Sequence, residues 1–167
     1  MAELTDLQRL QPCLLDRLTD TEPDKAVESR DRRVFTLSQI RSAVLRDLSW
    51  LLNASVRMES EDIAGFPEVA SSVLNYGMPD LCGLSTSTYS PPELERMVRE
   101  AIRRFEPRIM PESLSVRVVE VDTHGRASIA FEIAADLWAT PVPDPLFFRT
   151  EMDLDTGQCR LEDRPNG

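Results

Sequence analysis

The sequence predicts an α+β fold, with about three to four N-terminal helices followed by a small antiparallel β-sheet of about four strands. Two observations lead to this prediction. Up to Pro107, apolar residues recur every three or four positions, as on one face of a helix. After Pro111, apolar and polar residues alternate, as on a half-buried strand. Helices followed by antiparallel strands are typical of α+β domains.

The N-terminal part of the chain divides into an arm and a linker. Residues 1–20 carry leucines at helical spacing and predict an N-terminal docking helix over about residues 3–18, interrupted at Pro12. Residues 21–34 are polar and highly charged and predict a linker, which leaves 35–167 as the α+β domain. The apolar side chains that would dock are Leu14, Leu15 and Leu18. They could pack on their own domain or on a partner, and the sequence favours neither.

The second helix has a strong start signal. Thr36 and Gln39 form a T-x-x-Q capping box, and Asn53 is the expected stop. Leucine, isoleucine and valine side chains between them mark one apolar face. The polar face carries Arg41, Arg46 and Asp47.

A shorter helical piece is expected over residues 66–76. Its apolar residues, Val69, Val73 and Leu74, would lie on one side of the helix. Gly77 follows where a left-handed C-terminal cap is wanted.

The third helix begins with an S-x-x-E capping box formed by Ser90 and Glu93, with Pro91 at the first helical position. An apolar stripe runs from Leu94 to Phe105. Pro107 ends the helix, because the residue before a proline is disfavoured in helical geometry.

Four strands are predicted after Pro111. The first two form a hairpin around His124, and a second hairpin turns at residues 155–157. The side chains of the third strand that face the core would be Leu146, Phe148, Thr150, Met152 and Leu154. Its other face would carry Phe147, Arg149, Glu151 and Asp153. We expect this closing hairpin to leave an unpaired edge, with Arg149, Glu151 and Asp153 at a rim that accepts a strand of another chain.

Composition argues against several classes of function. Nineteen Lys and Arg residues against 29 Asp and Glu residues give a net charge of −10, which disfavours nucleic-acid binding. The three cysteines, Cys13, Cys82 and Cys159, are too far apart for a disulfide framework or a zinc motif. Neither a P-loop nor a dinucleotide fingerprint is present, so nucleotide binding lacks its usual phosphate cradle. No apolar run approaches a membrane span and no leader pattern opens the chain, so we expect a cytoplasmic protein.

Catalytic residues are hard to find in this chain. The only histidine, His124, falls in a predicted turn without a partner. A cell-wall hydrolase using a carboxylate pair is the alternative to be weighed, but the sequence does not single out such a pair. Among the acids only Glu106 stands out, and Arg108 beside it suits ionic recognition better than proton donation.

Five segments of the chain form a recognisable set. They are Gln11–Leu18 (QPCLLDRL), Leu45–Asn53 (LRDLSWLLN), Val73–Asp80 (VLNYGMPD), Arg103–Ile109 (RRFEPRI) and Phe147–Gly157 (FFRTEMDLDTG). In this order they resemble the baseplate-wedge family shared by contractile phage tails and type VI secretion systems, and the TssE branch in particular. The Glu-Pro-Arg motif is intact, whereas Cys13 stands where a serine is expected.

The resemblance implies a structural adaptor without cofactor or metal. Family members lie in the baseplate wedge beside TssF and TssG and form the platform on which the contractile sheath, made of TssB and TssC, begins to assemble. TssK is a further expected neighbour. The resemblance implies neither nucleic-acid binding nor membrane insertion.

The Glu-Pro-Arg motif leaves two interpretations open. Glu106 and Arg108, held rigid by Pro107, could make charge-assisted hydrogen bonds to a partner, and this is the favoured interpretation. If the pair is exposed, its change to alanine would alter stability by no more than about 1 kcal/mol. The alternative is an internal salt bridge to a neighbouring arginine: Arg99, Arg103 or Arg104.

Overall fold

The computed structural model describes residues 12–19, 23–24, 35–56, 63, 65–79, 81, 90–122, 128–138 and 143–163. Within these ranges the chain forms four α-helices, one 3-10 turn and a four-stranded antiparallel sheet, with the helices ahead of the sheet. The α+β prediction is confirmed. Most of the predicted linker lies outside the described residues, as do His124 and Cys82. The predicted domain boundaries stay predictions.

The first helix, α1, spans Leu14–Leu18. Cys13 is its N-cap, and the carboxylate of Asp16 accepts a hydrogen bond from the backbone N–H of Cys13 at 3.2 Å. A residue in the first turn thus satisfies one of the donors that a helix start leaves without a partner. The rest of the predicted arm, residues 1–11, lies outside the described residues.

The second helix, α2, spans Leu37–Asn53 and has the predicted start and stop. The backbone N–H of Gln39 donates to the hydroxyl of Thr36 at 3.3 Å, and the Gln39 side chain accepts from the Thr36 N–H at 2.8 Å. Such a cap stabilises a helix by about 1 kcal/mol. The buried face of α2 consists of Ile40, Ala43, Val44, Leu48, Leu51 and Leu52.

The predicted helix over residues 66–76 is wrong in its extent. The segment breaks into a short helix, α3 (Pro67–Ala70), and a 3-10 turn (Val73–Asn75). The break occurs because Ser72 starts the new turn, with its hydroxyl accepting from the N–H of Leu74. Val73 and Leu74, expected on an apolar side, are exposed, and Asn75 is the buried residue.

Gly77 is needed for a close backbone approach and not for a helix cap. Its φ is +132°, and Met78 beside it exchanges backbone hydrogen bonds with Ala54 and Val56, at 2.7 and 2.8 Å. A Cβ on Gly77 would overlap the carbonyl oxygen of Ala54 and lie 2.7 Å from its carbon. The segment after α2 is therefore joined to this loop at a point that only glycine fits.

The second long helix, α4, spans Pro91–Phe105, as the capping box and the proline predicted. Ser90 and Glu93 form the box, with the backbone N–H of Ser90 donating to the Glu93 carboxylate at 2.8 Å. The buried stripe of α4 consists of Leu94, Val98, Ala101 and Ile102.

The sheet is an antiparallel meander whose strands lie side by side in chain order. The strands are β1 (Ser115–Asp122), β2 (Ser128–Leu137), β3 (Asp144–Asp153) and β4 (Cys159–Asp163). The register of β1 shifts between Val118 and Glu120, which marks a β-bulge. The predicted turn of the second hairpin is confirmed, with Gly157 at a φ of +69°.

One apolar core joins α2, α4 and one face of the sheet. Its largest fully buried side chains include Phe131 of β2, Phe148 of β3, Leu48 of α2 and Ile102 of α4. The two long helices thus cover a single face of the sheet. None of the described helices is long and apolar enough to cross a membrane.

Replacing Gly77 with alanine should lower the free energy of unfolding by about 2 kcal/mol or more, because the new Cβ overlaps backbone and the φ is strained. The matched control is Gly65→Ala, since a Cβ at Gly65 would meet nothing within 4 Å. The control should change stability by no more than about 0.5 kcal/mol. Urea denaturation of both variants measures the difference, and equal midpoints would contradict the close approach.

Candidate interaction surfaces

The turn that follows α4 contains a buried ion pair. Glu106 is 4% exposed, and its carboxylate accepts hydrogen bonds from Nε and from the backbone N–H of Arg108, at 2.7 and 3.1 Å. The Nη2 group of the same guanidinium donates to Glu106 and also to Asp47 of α2, the latter at 2.6 Å. One arginine therefore joins the end of α4 to the middle of α2. We call Glu106, Arg108 and Asp47 the ionic corner.

A pair of aromatic side chains lies beside the ionic corner. The hydroxyl of Tyr76 donates to the backbone oxygen of Asp47 at 3.4 Å, and its ring meets Phe105 edge-on with centroids 5.2 Å apart. Burial, followed by the negative charges of Asp47 and Glu106, raises the pKa of the Tyr76 hydroxyl. Burial opposes the charged form of Arg108, but hydrogen bonds and charges from the two carboxylates outweigh it and raise the pKa of Arg108. Arg108 therefore stays charged.

Backbone hydrogen bonds attach the ionic corner to the sheet. The N–H of Trp138, just past β2, donates to the carbonyl of Arg108 at 2.8 Å. The N–H of Met110 donates to the carbonyl of Asp136 at 2.9 Å. Pro107, between the two charged residues, is exposed. The corner is thus fixed from α2, α4 and β2, and it presents Pro107 at the surface.

The internal ion pair is the alternative that the sequence left open, but its partners differ from those expected. Glu106 pairs with Arg108 and shares it with Asp47. Arg99 instead donates to the carbonyl of Val116, and Arg104 to the carbonyl of Ala70. Because Glu106 is buried, the condition under which alanine would be nearly neutral does not hold. A role of Glu106, Pro107 and Arg108 in partner contact stays a prediction.

The charges of the corner continue to the arm. Arg46, next to Asp47 along α2, contacts its carboxylate at 2.7 Å and also pairs with Asp16 of α1 at 2.7 Å. The Arg46 guanidinium lies over the ring of Trp50, 5.1 Å from its centroid. Burial opposes ionisation of Asp16, but hydrogen bonds from Cys13 and Arg46 outweigh it and lower the pKa of Asp16. The arm is therefore held on α2 by its polar side.

The apolar side of α1 faces away from the described part of the domain. Leu14 is 69% exposed, Leu15 43% and Leu18 74%. None of the residues of α1 is buried. Contact with its own domain, one of the two interpretations of the arm, thus occurs through Asp16, while the three leucines remain accessible.

The expectation that β3 offers an edge is wrong. β3 pairs with β2 on one side and with β4 on the other, so its backbone is used on both sides. The division of its faces is confirmed, since Leu146, Phe148, Thr150 and Met152 are buried. On the other face Glu151 is exposed, and Arg149 and Asp153 are half-buried and already have interactions. The edge strand of the closing hairpin is β4.

Arg149 belongs to a row of alternating charge on the outer face of the sheet. The register places Arg117 opposite Glu132, Glu132 opposite Arg149, and Arg149 opposite Glu162. Opposite charges on directly paired strands stabilise a sheet by a few tenths of a kcal/mol to about 1 kcal/mol a pair. Arg149, which we predicted at a rim for a partner, thus lies at a cross-strand pairing position within the sheet. A partner-binding role of Arg149, Glu151 and Asp153 stays a prediction.

Helix side chains cover part of each sheet edge. At the β1 edge, Arg99 of α4 donates to the carbonyl of Val116 at 3.3 Å, and Glu95 accepts from the N–H of Val118 at 3.0 Å. At the β4 edge, Asn53 of α2 bonds both backbone groups of Cys159 at 2.9 Å. Covering the backbone groups of an edge strand in this way is one means by which proteins prevent unwanted strand pairing.

Sequence reasoning missed the residues that build these surfaces from α2. Arg41, Arg46 and Asp47 were assigned only to a polar helix face, and Asn53 only to a helix stop. The adjacent opposite charges of Arg46 and Asp47 were a weak signal for a network. Among the described residues, no group of three or more His, Cys, Asp or Glu side chains could hold a metal ion.

Comparison with known proteins assigns the family. The family model described as baseplate wedge protein gp25 matches residues 38–142, from the first turn of α2 to beyond β2. The chain belongs to this family, whose members are structural baseplate components of contractile injection machines. No curated protein and no solved structure gives a significant match to the chain.

Changing Glu106 to alanine should lower the free energy of unfolding by about 2–4 kcal/mol, because it leaves Arg108 half-buried with one carboxylate fewer. The matched control is Glu100→Ala, an exposed glutamate on α4, which should change stability by no more than about 0.5 kcal/mol. Chemical denaturation of the isolated protein provides both values. If Glu106→Ala proves as stable as the control, the ionic corner does not hold the helices together.

Proposed function

We propose that this chain is the TssE-type subunit of a type VI secretion baseplate, acting in the cytoplasm as a structural adaptor. It binds the wedge subunits TssF and TssG, with TssK as a further neighbour, and it offers a platform to the sheath subunits TssB and TssC. The observation that carries the proposal is the family match over residues 38–142. The TssE branch is favoured over the phage branch by the five sequence segments, which include the intact Glu106-Pro107-Arg108.

Two surfaces support binding to wedge subunits. The leucines of α1 form an accessible apolar face on a helix that is anchored by the Asp16–Arg46 ion pair. An amphipathic helix of this kind suits an apolar groove on another protein. The second surface is the ionic corner, where exposed Pro107 lies on a rigid turn. A rigid contact point loses little conformational entropy on binding.

The platform for the sheath is the edge of β4 and not β3. The backbone N–H of Asp153 donates to the carbonyl of Gln158. Because the hydrogen-bonding direction alternates along a strand, the backbone groups of the odd-numbered residues of β3 point towards β4. The N–H of Glu151 therefore points at β4, and a proline there would break the sheet itself. On β4 the groups that point outward belong to Cys159, Leu161 and Asp163, opposite the even-numbered residues of β3. An incoming strand would pair with these groups.

The cell-wall hydrolase is the weaker alternative. The carboxylates that the structure brings together in the ionic corner, those of Glu106 and Asp47, both accept hydrogen bonds from Arg108. A general acid and its partner need free access to a substrate and a water molecule. Glu106 is buried and bound to a guanidinium, so the pair serves as an ionic link.

Co-purification tests the proposed function. Tagged protein expressed together with TssF and TssG should retain both subunits, identified by mass spectrometry. Retention of neither subunit, from a protein that is folded by circular dichroism, would contradict the wedge assignment. Release of soluble fragments from purified peptidoglycan by the isolated protein would favour the hydrolase.

The arm provides a sharper test. Replacing Leu14, Leu15 and Leu18 together by serine should leave the melting temperature of the isolated protein unchanged within a few degrees, because all three side chains are exposed. The same variant should lose wedge subunits in the co-purification. The matched control is Val73→Ser, an exposed apolar residue outside the arm, which should retain them. A large drop in melting temperature would instead show that the three leucines pack on their own domain.

A further inference from the structure

The side chain of Asn53 imitates a strand at the edge of β4. Its Nδ2 group donates to the carbonyl of Cys159 at 2.9 Å, and its Oδ1 accepts from the N–H of Cys159 at 2.9 Å. A carboxamide offers the same donor and acceptor as a peptide group. The two bonds therefore reproduce a hydrogen-bonded pair of an antiparallel ladder.

Only part of the β4 edge is covered in this way. The outward groups recur every second residue, at Cys159, Leu161 and Asp163. Asn53 takes the first position. At the third, the Arg41 guanidinium binds the Asp163 carboxylate through two hydrogen bonds of 3.1 and 2.8 Å. The backbone of Leu161 lies between these two contacts.

The β1 edge differs in two respects. Its outward groups at Val116 and Val118 are bonded by two separate charged side chains, Arg99 and Glu95. The bulge that follows Val118 breaks the regular spacing that an added strand needs. By contrast, the described part of β4 is regular, and Asn53 is an exposed residue at the last position of α2, where helices fray.

We propose that Asn53 is a removable plug on the β4 edge, and that an extended segment of a partner chain displaces it to add a fifth strand. The inference rests on the proposed function, in which that strand comes from the sheath. Arg160 and Glu162 are exposed on the outer face of β4, so the incoming segment carries an acidic residue opposite Arg160 and a basic residue opposite Glu162. Apolar residues alternate with these two to cover Cys159 and Leu161.

The strand β4 is itself a segment with this charge pattern. If a second β4 pairs antiparallel about Leu161, the acid Glu162 of one strand lies opposite Arg160 of the other. The same arrangement brings Asp163 opposite Cys159, where Asn53 is bound. The plug therefore also blocks edge-to-edge pairing of two copies, which is a known hazard of open edges.

The probe for the test is a fluorescein-labelled peptide of residues 157–163 carrying Cys159→Ser. Its affinity for the full chain is measured by fluorescence anisotropy. Asn53→Ala should bind the peptide about tenfold more tightly than the unsubstituted protein, because no side chain has to be displaced. A second peptide with the Arg and Glu exchanged should bind more weakly to both proteins. Equal affinity of the two proteins, or of the two peptides, would overturn the proposal.

Two variants guard against loss of folding and against a general effect of opening the sheet. Asn53→Asp keeps an acceptor for the Cys159 N–H and loses the donor to its carbonyl, so its affinity should lie between the other two. Arg99→Ala opens the β1 edge and should leave peptide affinity unchanged. If Asn53→Ala does not fold, Asn53→Asp decides, and an affinity no higher than that of the unsubstituted protein overturns the plug.

Sedimentation velocity of Asn53→Ala alone identifies the occupant. A monomer at micromolar concentration agrees with a partner strand. A dimer that Arg160→Glu abolishes would assign the edge to a second copy and overturn the partner assignment. Sheath assembly is scored separately. If Asn53→Ala binds the peptide more tightly but does not affect sheath assembly, the plug is supported and the sheath platform is contradicted. If Asn53→Ala leaves both peptide affinity and sheath assembly unchanged, the plug alone is contradicted.

Discussion

The bond between Arg108 and its two carboxylates is the constraint on which the arrangement of the helices depends. Glu106 is buried at the end of α4, and a buried carboxylate is costly unless a cation and hydrogen bonds compensate it. Arg108 supplies both, and it also binds Asp47 of α2. Its own carbonyl accepts from Trp138 at the end of β2. Two helices and the end of a strand thus meet at one residue.

The two long helices have a second task besides covering the core. The buried faces of α2 and α4 pack on the sheet, and the flanks of these helices reach around it. Glu95 and Arg99 on α4 bond the backbone of β1, and Asn53 on α2 bonds that of β4. Because the same helices fill the core and cover the edges, a shift of either helix would also change which backbone groups are accessible.

The elements that have local signals were predictable. The capping boxes at Thr36 and Ser90 and the alternation in β3 depend on residues a few positions apart, and each is found in the structure. The ionic corner joins residues 61 positions apart, and the plug joins residues 106 apart, so no local pattern indicates them. The central position of β3 was missed because strand order depends on how the hairpins pair. The break after α3 was missed because Ser72 competes with the helix for backbone hydrogen bonds.

The unequal edges of the sheet give it a direction. β1 contains a bulge and is bonded by two charged side chains, while β4 is regular and covered at Cys159 by a single neutral amide. If strand addition takes place as proposed, the sheet would extend from the β4 side only, and each new strand would lie further from α4. Such a subunit would fix the starting point of an assembly and the direction in which that assembly lengthens.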